Sequence, residues 1–226
     1  MRLNIALFGG TFDPIHTGHW KVADAAVRAL GLDRVLFIPT GTPPHKHSDQ
    51  LTPFHHRFAM VTLACAGRAE FVPSLLEAPK PDGKPHYSID TVRRVRKTLG
   101  TRDRLFFLLG ADAFLDLPHW RASRSLLDLA NFVVVSRSGF SSDQIRTVIP
   151  GHMIRAAARG RIERGIPLRR TTVWILPGVR VPFASTNIRE AIRRGRKLSG
   201  YVPPLVEEYI LKEGLYRRHQ AGRAAE

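Results

Sequence analysis

The sequence predicts an α/β protein with a doubly wound parallel sheet, that is, a sheet with helices packed on both faces. Two observations lead to this prediction. Short apolar runs alternate along the chain with segments of helical periodicity, which is the pattern of parallel α/β folds. The runs are continuous rather than alternating, as expected for strands buried on both faces. With 226 residues, the chain is long enough for one such domain without disulfides.

Six apolar runs are predicted to form the strands of this sheet. They are short and rich in β-branched and aromatic residues, which favour strands. They cover residues 3–8, 34–39, 70–73, 104–109, 131–136 and 172–177.

Five segments with helical spacing lie between or after these runs. Gly31 is predicted to end the first, Thr52 and Pro53 precede the second, and Ser88 is predicted to cap the third. The segments cover residues 16–31, 55–67, 88–100, 185–195 and 203–214.

These elements predict a single domain over residues 1–216, with C-terminal helices from about residue 185 and a flexible basic tail at residues 217–226. The segment 151–170 is predicted to be a small helical excursion. The long Pro- and His-containing loop at residues 40–53 is predicted to be functional.

The formal net charge of +16 favours anionic partners such as phosphates or nucleotides. The arginines between Arg146 and Lys197 do not form one tract, and a merely solvated basic surface is an alternative explanation. Cys65 is the single cysteine, which excludes a disulfide framework and indicates a reducing, cytoplasmic location. Neither a signal peptide nor a membrane span is expected.

A glycine turn followed by two histidines stands directly after the first predicted strand. In open parallel sheets, ligands bind beyond the carboxyl ends of the strands. Gly9 and Gly10 let a ligand approach the backbone, and the N-terminus of the following helix favours an anion. His16 and His19 are three residues apart and would share one face of that helix. Phosphate binding is the favoured hypothesis; metal ligation and simple helix capping are the alternatives.

The residues around this turn carry a specific resemblance. The stretch "GTFDPIHTGH" (10–19) resembles the HxGH signature of the nucleotidylyltransferase superfamily, whose fold is Rossmann-like. The stretch "FASTNIRE" (183–190) resembles the second signature of that superfamily, ISSTxIR. Ser185, Thr186 and Arg189 match it, whereas Ala184 replaces the first serine.

Further segments are similar, in the same order, to the bacterial nicotinate mononucleotide adenylyltransferases. They are "PTGTPPHK" (39–46), "HYSIDTV" (86–92), "LLGADAFLDLPHW" (108–120), "VVVSR" (133–137) and "GYVPPLVEEYILKEGLY" (200–216). The resemblance implies adenylyl transfer from ATP to nicotinate mononucleotide, giving nicotinate adenine dinucleotide and pyrophosphate, a step of NAD biosynthesis. It implies Mg²⁺ as a cofactor that arrives with ATP, and no metal ligand from protein side chains.

The resemblance also implies roles for individual residues. The catalytic residues would be His16, His19 and Arg189. The ATP-binding residues would be Gly9, Gly10, Thr11, Gly110, Asp112, Ser185 and Thr186, with Ser185 and Thr186 capping their helix. The mononucleotide-binding residues would be Lys46, Tyr87, Ser88, Trp120 and Arg137. Three have simpler alternatives: Asp112 as a helix cap, Lys46 as a solvated lysine and Trp120 as a core residue.

Two competing hypotheses follow from the same sequence. A nucleic-acid-binding protein would explain the charge, but it predicts aromatic residues among the basic ones. The stretch 146–170 holds no Phe, Tyr or Trp, so this hypothesis is disfavoured. Another adenylyl or cytidylyl transfer is the second alternative. Whether the chain forms a homo-oligomer is left open by the sequence.

Overall fold

A computed structural model of the chain describes residues 2–43, 51–135, 142–155, 165–176 and 183–217. Its centre is a seven-stranded sheet of order β3-β2-β1-β4-β5-β7-β6. The strands are β1 (Asn4–Gly10), β2 (Arg34–Pro39), β3 (Phe71–Pro73), β4 (Arg104–Gly110), β5 (Asn131–Val135), β6 (Gly165–Pro167) and β7 (Thr172–Leu176).

Eight α-helices lie within the described residues. They are α1 (Thr17–Leu30), α2 (Phe54–Cys65), α3 (Ser88–Arg96), α4 (Ala111–Leu115), α5 (Ser123–Leu129), α6 (Ser142–Thr147), α7 (Ser185–Arg193) and α8 (Pro204–Lys212). Short 3₁₀ helices cover Leu117–His119 and Gly151–Met153. None of the described helices combines the length and apolar content needed to cross a bilayer.

Both faces of the sheet are buried, which explains why its strands are continuous apolar runs. In β1, Ala6 and Phe8 belong to the core on one face, and Leu7 belongs to the core on the other. Phe106 and Phe107 divide in the same way in β4. All six predicted strands are present, and the doubly wound arrangement is confirmed.

The prediction of a helical excursion at residues 151–170 was wrong in part, because the segment contributes an edge strand. Strand β6 pairs with β7 in the antiparallel sense, and the other strand pairs are parallel. Ile166 buries its side chain, while Pro167 stands at the edge, where its missing N–H is tolerated. Residues 156–164 lie outside the described residues. So does the predicted tail, except for Arg217.

The predicted caps are displaced by one residue. The N-cap positions are Pro53, Tyr87 and Ala184, rather than Thr52, Ser88 and the Ser185–Thr186 pair. Neither serine is the cap: Ser88 is the first residue of its helix and lines a cavity, and the Ser185 hydroxyl donates to the Pro14 carbonyl instead. The first helix does end at Gly31, whose φ of 57° is the left-handed conformation that glycine favours.

The strand order places a topological switch point at β1. The chain proceeds from β1 toward β2 and β3 on one side, and toward β4 and β5 on the other. Connections that leave in opposite directions open a crevice at the carboxyl ends of the two central strands, β1 and β4. Gly9 and Gly10 end β1, and Gly110 ends β4.

Candidate active site

A cavity of about 370 Å³ lies at this switch point. Its walls come from β1, α1, the end of β2, α3 and the end of β4. The structure brings together, around this one cavity, seven of the residues singled out from the sequence: Gly9, Gly10, His16, His19, Ser88, Gly110 and Trp120.

The two histidines are stacked at the start of α1. His16 is the N-cap residue and is buried, and His19 is the third residue of the helix. Their ring centroids are 3.7 Å apart, and the ring planes meet at 27°. The prediction that the two imidazoles share one face is therefore confirmed, and both line the cavity.

A hydrogen bond fixes the orientation of the second imidazole. The His16 backbone N–H donates to Nδ1 of His19 over 3.2 Å. Nδ1 must then be unprotonated, so a neutral His19 carries its proton on Nε2. The rings of Phe8 and Phe12 pack edge-on against His19. The structure therefore shows a capping contact between the two residues, in which the imidazole of His19 accepts from the backbone of His16.

The glycine turn lies open to the cavity. A Cβ atom on Gly9 would meet nothing within 4 Å, so the absence of a side chain preserves space for a ligand. A Cβ on Gly10 would come within 3.3 Å of the Phe12 ring. Thr11 is half-buried beside the turn but does not line the cavity.

The second signature docks onto the first. Nη1 of Arg189 donates to the Asp13 carbonyl over 2.7 Å, and its Nη2 contacts the Thr186 hydroxyl at 3.4 Å. Ser185 donates to the Pro14 carbonyl over 3.0 Å. The second signature therefore contacts the backbone that follows the glycine turn, and none of these three residues lines the described cavity.

The substitution at Ala184 removes a capping hydroxyl, and a neighbouring residue supplies part of the cap. Asn187 is the third residue of α7, and its Oδ1 accepts the Ala184 backbone N–H over 2.8 Å. This contact is the return half of a capping box. The helix that carries Arg189 thus begins at the expected place without the first serine.

The other end of the cavity is aromatic. Trp120 is half-buried and packs edge-on against Phe107. It also lines an adjoining cavity of about 570 Å³ together with Tyr87 and Ser88. Arg121 stacks over the Tyr87 ring at 4.7 Å. Trp120 is therefore not a simple core residue, because one side of it faces open space.

The structure describes one of the three remaining predicted positions. Asp112 is exposed at the second position of α4, whose N-cap is Gly110, so the simple-cap alternative for Asp112 is wrong. Lys46 and Arg137 lie outside the described residues. No group of three or more His, Cys, Asp or Glu side chains within the described ranges could hold a metal ion.

Comparison with known proteins places this geometry in a family. Residues 7–191 match the cytidylyltransferase-like family. The chain is 37% identical to a probable nicotinate-nucleotide adenylyltransferase of Thermus thermophilus, over 95% of this chain and 100% of the relative. A relative of the same name in Pelobacter propionicus is 38% identical, over 95% and 98%. The chain belongs to the nicotinate-nucleotide adenylyltransferase family.

The fold agrees with that membership. A nicotinic acid mononucleotide adenylyltransferase of Plasmodium falciparum, solved with NaAD, superposes with a TM-score of 0.72 at 19% identity, covering 95% of this chain and 98% of that one. A complex of the Plasmodium enzyme with APC gives 0.71 at 18%, with the same coverage. The predicted Rossmann-like nucleotidylyltransferase fold is confirmed, as is the prediction of a nucleotidyltransferase.

Sequence reasoning missed a buried network behind the phosphate turn of this adenylyltransferase. The Asp13 carboxylate accepts the Tyr216 hydroxyl over 2.6 Å and the Thr52 backbone N–H over 3.3 Å. Arg57 is buried and donates to the carbonyls of Thr11, Thr40 and Thr52 at 2.9, 2.8 and 2.8 Å.

This network perturbs the ionisation of its members. Burial, reinforced by the adjacent Asp13 carboxylate, raises the pKa of Tyr216 well above its ordinary value. Burial lowers the pKa of Arg57, and the nearby Asp13 and Tyr216 oppose that shift. Asp13 stands inside the first signature, but no sequence signal connects it with Arg57 or Tyr216.

Sequence reasoning also missed the middle of the cavity. Thr40, Glu77 and Thr91 line it together with the glycine turn and Trp120. The Thr91 hydroxyl donates to Oε1 of Glu77 over 2.7 Å, and both side chains are buried.

Proposed function

We propose that this cavity catalyses adenylyl transfer from ATP to nicotinate mononucleotide, giving nicotinate adenine dinucleotide and pyrophosphate in NAD biosynthesis. The observation that carries the proposal is the stacked His16–His19 pair, which lies beside an open glycine turn in the same cavity as an aromatic pocket. The relatives' name supports this pairing of substrates.

The reaction needs no protein nucleophile. A phosphate oxygen of the mononucleotide attacks the α-phosphorus of ATP, a new P–O bond forms, and the bond to the β-phosphate oxygen breaks. That attacking oxygen is already ionised at neutral pH, so no general base is required. The protein accelerates the transfer by positioning both substrates and by stabilising the charge on the transferring phosphoryl group.

The chain supplies this stabilisation through fixed donors. The N-terminus of α1 and the stacked imidazoles of His16 and His19 share the cavity with Gly9 and Gly10, the proposed phosphate turn. Donors held in place before the reaction act most strongly where charge develops in the transition state. Arg189 lies outside the described cavity lining and uses two of its five N–H groups on the Asp13 carbonyl and the Thr186 hydroxyl, so the remaining donors would serve a pyrophosphate that extends beyond that lining.

The aromatic end binds the mononucleotide base. Trp120 stacks on the pyridine ring, and the backbone N–H groups at the start of α3, near Ser88, receive the nicotinate carboxylate. A helix N-terminus provides fixed donors and a positive end field for such an anion.

The residues around the phosphate turn suit phosphate better than a metal. They offer N–H donors, whereas Mg²⁺ prefers oxygen ligands. We therefore expect Mg²⁺ to bind the oxygens of ATP and to neutralise part of the triphosphate charge. We place the reaction in the cytoplasm, because the single cysteine, Cys65, is a buried free thiol.

A direct assay tests the proposal. Purified protein is supplied with ATP, Mg²⁺ and either nicotinate or nicotinamide mononucleotide, and pyrophosphate release gives kcat/KM for each. Nicotinate mononucleotide is expected to be preferred by about a hundredfold, because the amide NH₂ would meet the α3 donors with a donor of its own. Equal values would remove the carboxylate-binding role of α3, and no release with either acceptor would overturn the proposed function.

A further inference from the structure

Glu77 is the one acidic side chain that lines the catalytic cavity within the described residues, and the chemistry above does not use it. Its side chain is buried, with 7% of the residue exposed. A buried carboxylate is costly unless it is hydrogen-bonded. It also opposes the negative charge of both substrates, so a hydrogen-bond donor on the ligand would offset the cost of its presence in the cavity.

Two contacts hold Glu77 firmly in place. Its Oε1 accepts the Thr91 hydroxyl over 2.7 Å, and its backbone carbonyl accepts the Gly41 N–H over 2.7 Å. A Cβ on Gly41 would lie 2.3 Å from that carbonyl oxygen, so only glycine allows this approach. In the described part of the chain, Thr91 is the hydrogen-bond partner of the carboxylate, and no cation lies within ion-pair distance. A carboxylate has about four acceptor sites, so acceptors remain for a ligand.

The attachments of Glu77 place it in the middle of the cavity. The Thr40 N–H donates to the Gly10 carbonyl over 2.9 Å, which joins the end of β2 to the phosphate turn. The backbone carbonyl of Glu77 accepts a hydrogen bond from Gly41, which follows Thr40 in the chain. The Glu77 carboxylate accepts a hydrogen bond from Thr91, which lies in the first turns of α3. The cavity therefore runs from the phosphate turn, past Glu77, to the aromatic pocket.

A mononucleotide has its groups in the same order: phosphate, ribose and base. We propose that Glu77 accepts hydrogen bonds from the ribose hydroxyls of the mononucleotide and thereby selects ribonucleotide acceptors. This inference rests on the proposed function. A diol presents two adjacent donors, and a carboxylate presents two acceptor oxygens on a rigid plane, so the two groups match in number and spacing. Hydrogen bonds with a charged partner are among the stronger ones.

The test is a double-substitution cycle in which the Glu77 side chain and the hydroxyls of the substrate are changed separately and together. Wild-type protein and Glu77→Gln are assayed with nicotinate mononucleotide and with its 2′-deoxy and 3′-deoxy forms. In the wild type, removal of the recognised hydroxyl is expected to lower kcat/KM by about tenfold to a hundredfold. In Glu77→Gln, the intact substrate is already impaired, and loss of the hydroxyl costs less than about threefold.

Matched controls separate recognition from a general effect of the substitution. Glu208→Gln makes the same chemical change on the exposed surface of α8 and is expected to keep the full wild-type deoxy penalty. Thr91→Val retains the carboxylate but removes the hydroxyl that orients it, so it is expected to show a reduced deoxy penalty. It serves as the second variant if Glu77→Gln does not fold, as judged by thermal unfolding.

The outcomes distinguish this inference from the proposed function. If the wild type does not use the intact mononucleotide, the proposed function fails. If the wild type is active and Glu77→Gln keeps the same deoxy penalty, Glu77 is not a ribose ligand. If Glu77→Gln alters only the ratio of nicotinate to nicotinamide mononucleotide, the carboxylate faces the base, and the inference is likewise overturned.

Discussion

The two ends of the sheet present positive charge in different ways. At the carboxyl end, the described lining of the candidate active-site cavity contains no lysine or arginine, and its side-chain donors are imidazoles, hydroxyls and the Trp120 indole. At the amino end, a polar cavity of about 530 Å³ is lined by Arg96, Arg104, Arg155 and Arg170. The difference indicates that the net charge of +16 is carried largely outside the cavity lining, and we expect substrate recognition there to depend on fixed donors rather than on net charge.

The largest effect on turnover is expected when the histidine donors of the cavity are removed. His19→Ala and His16→Ala should each lower kcat by about 10²–10³, the usual cost of losing one donor to the transition state. The fold should survive, because many other contacts hold α1, and circular dichroism with thermal unfolding checks this. A His19→Ala protein with full turnover would contradict the phosphate role of the pair.

A smaller effect is expected when charge is kept but geometry is changed. Arg189→Lys should lower kcat/KM by about tenfold, because a lysine ammonium cannot hold the Asp13 carbonyl and a phosphate with one planar group. Steady-state kinetics with ATP as the varied substrate measures the loss. Near-complete activity in Arg189→Lys would show that only the charge of this residue matters. It would contradict the idea that the carboxyl end of the sheet depends on donor geometry rather than on charge.

The buried network at the carboxyl end should matter mainly for stability. Tyr216→Phe removes the hydroxyl that donates to Asp13 and leaves that carboxylate oxygen buried without the bond, at a cost of about 1–3 kcal/mol. Denaturant unfolding gives the free energy. Tyr209→Phe, in which a hydroxyl that contacts His56 is lost, is the matched control with a smaller cost. Equal costs would mean that Asp13 does not depend on Tyr216.

The smallest effect is expected at the amino end. Arg155→Gln and Arg170→Gln change charge on exposed side chains far from the chemistry, so kcat/KM should stay within about twofold of wild type at moderate ionic strength. A tenfold loss that disappears at high salt would contradict the comparison, since it would show that a long-range field guides the substrates.

Local sequence patterns predicted the sheet and the first half of the site well. The strands are legible because burial on both faces leaves continuous apolar runs, and the His16–His19 stack follows from a three-residue spacing at a helix start. Strand β6 escaped prediction because only Ile166 in its three residues gives an apolar signal.

The contacts that position the site could not be predicted in the same way. Arg57 reaches Thr11 across 46 residues of sequence, and Tyr216 reaches Asp13 across 203. Glu77 is an isolated acidic residue in a loop, and only its packing against Thr91 places it in the cavity. Such pairs depend on tertiary packing, which single-sequence periodicity does not encode.

The bond between Tyr216 and Asp13 also has a consequence for the order in which the site is completed during synthesis. A ribosome makes the Gly9–Gly10 turn and Asp13 before it makes the hydroxyl that supports Asp13, because Tyr216 follows 203 residues later. A nascent chain that already contains β1, α1 and the histidine pair therefore still lacks this support. The residues after this turn reach their final set of contacts only when residue 216 has emerged and folded back against Asp13.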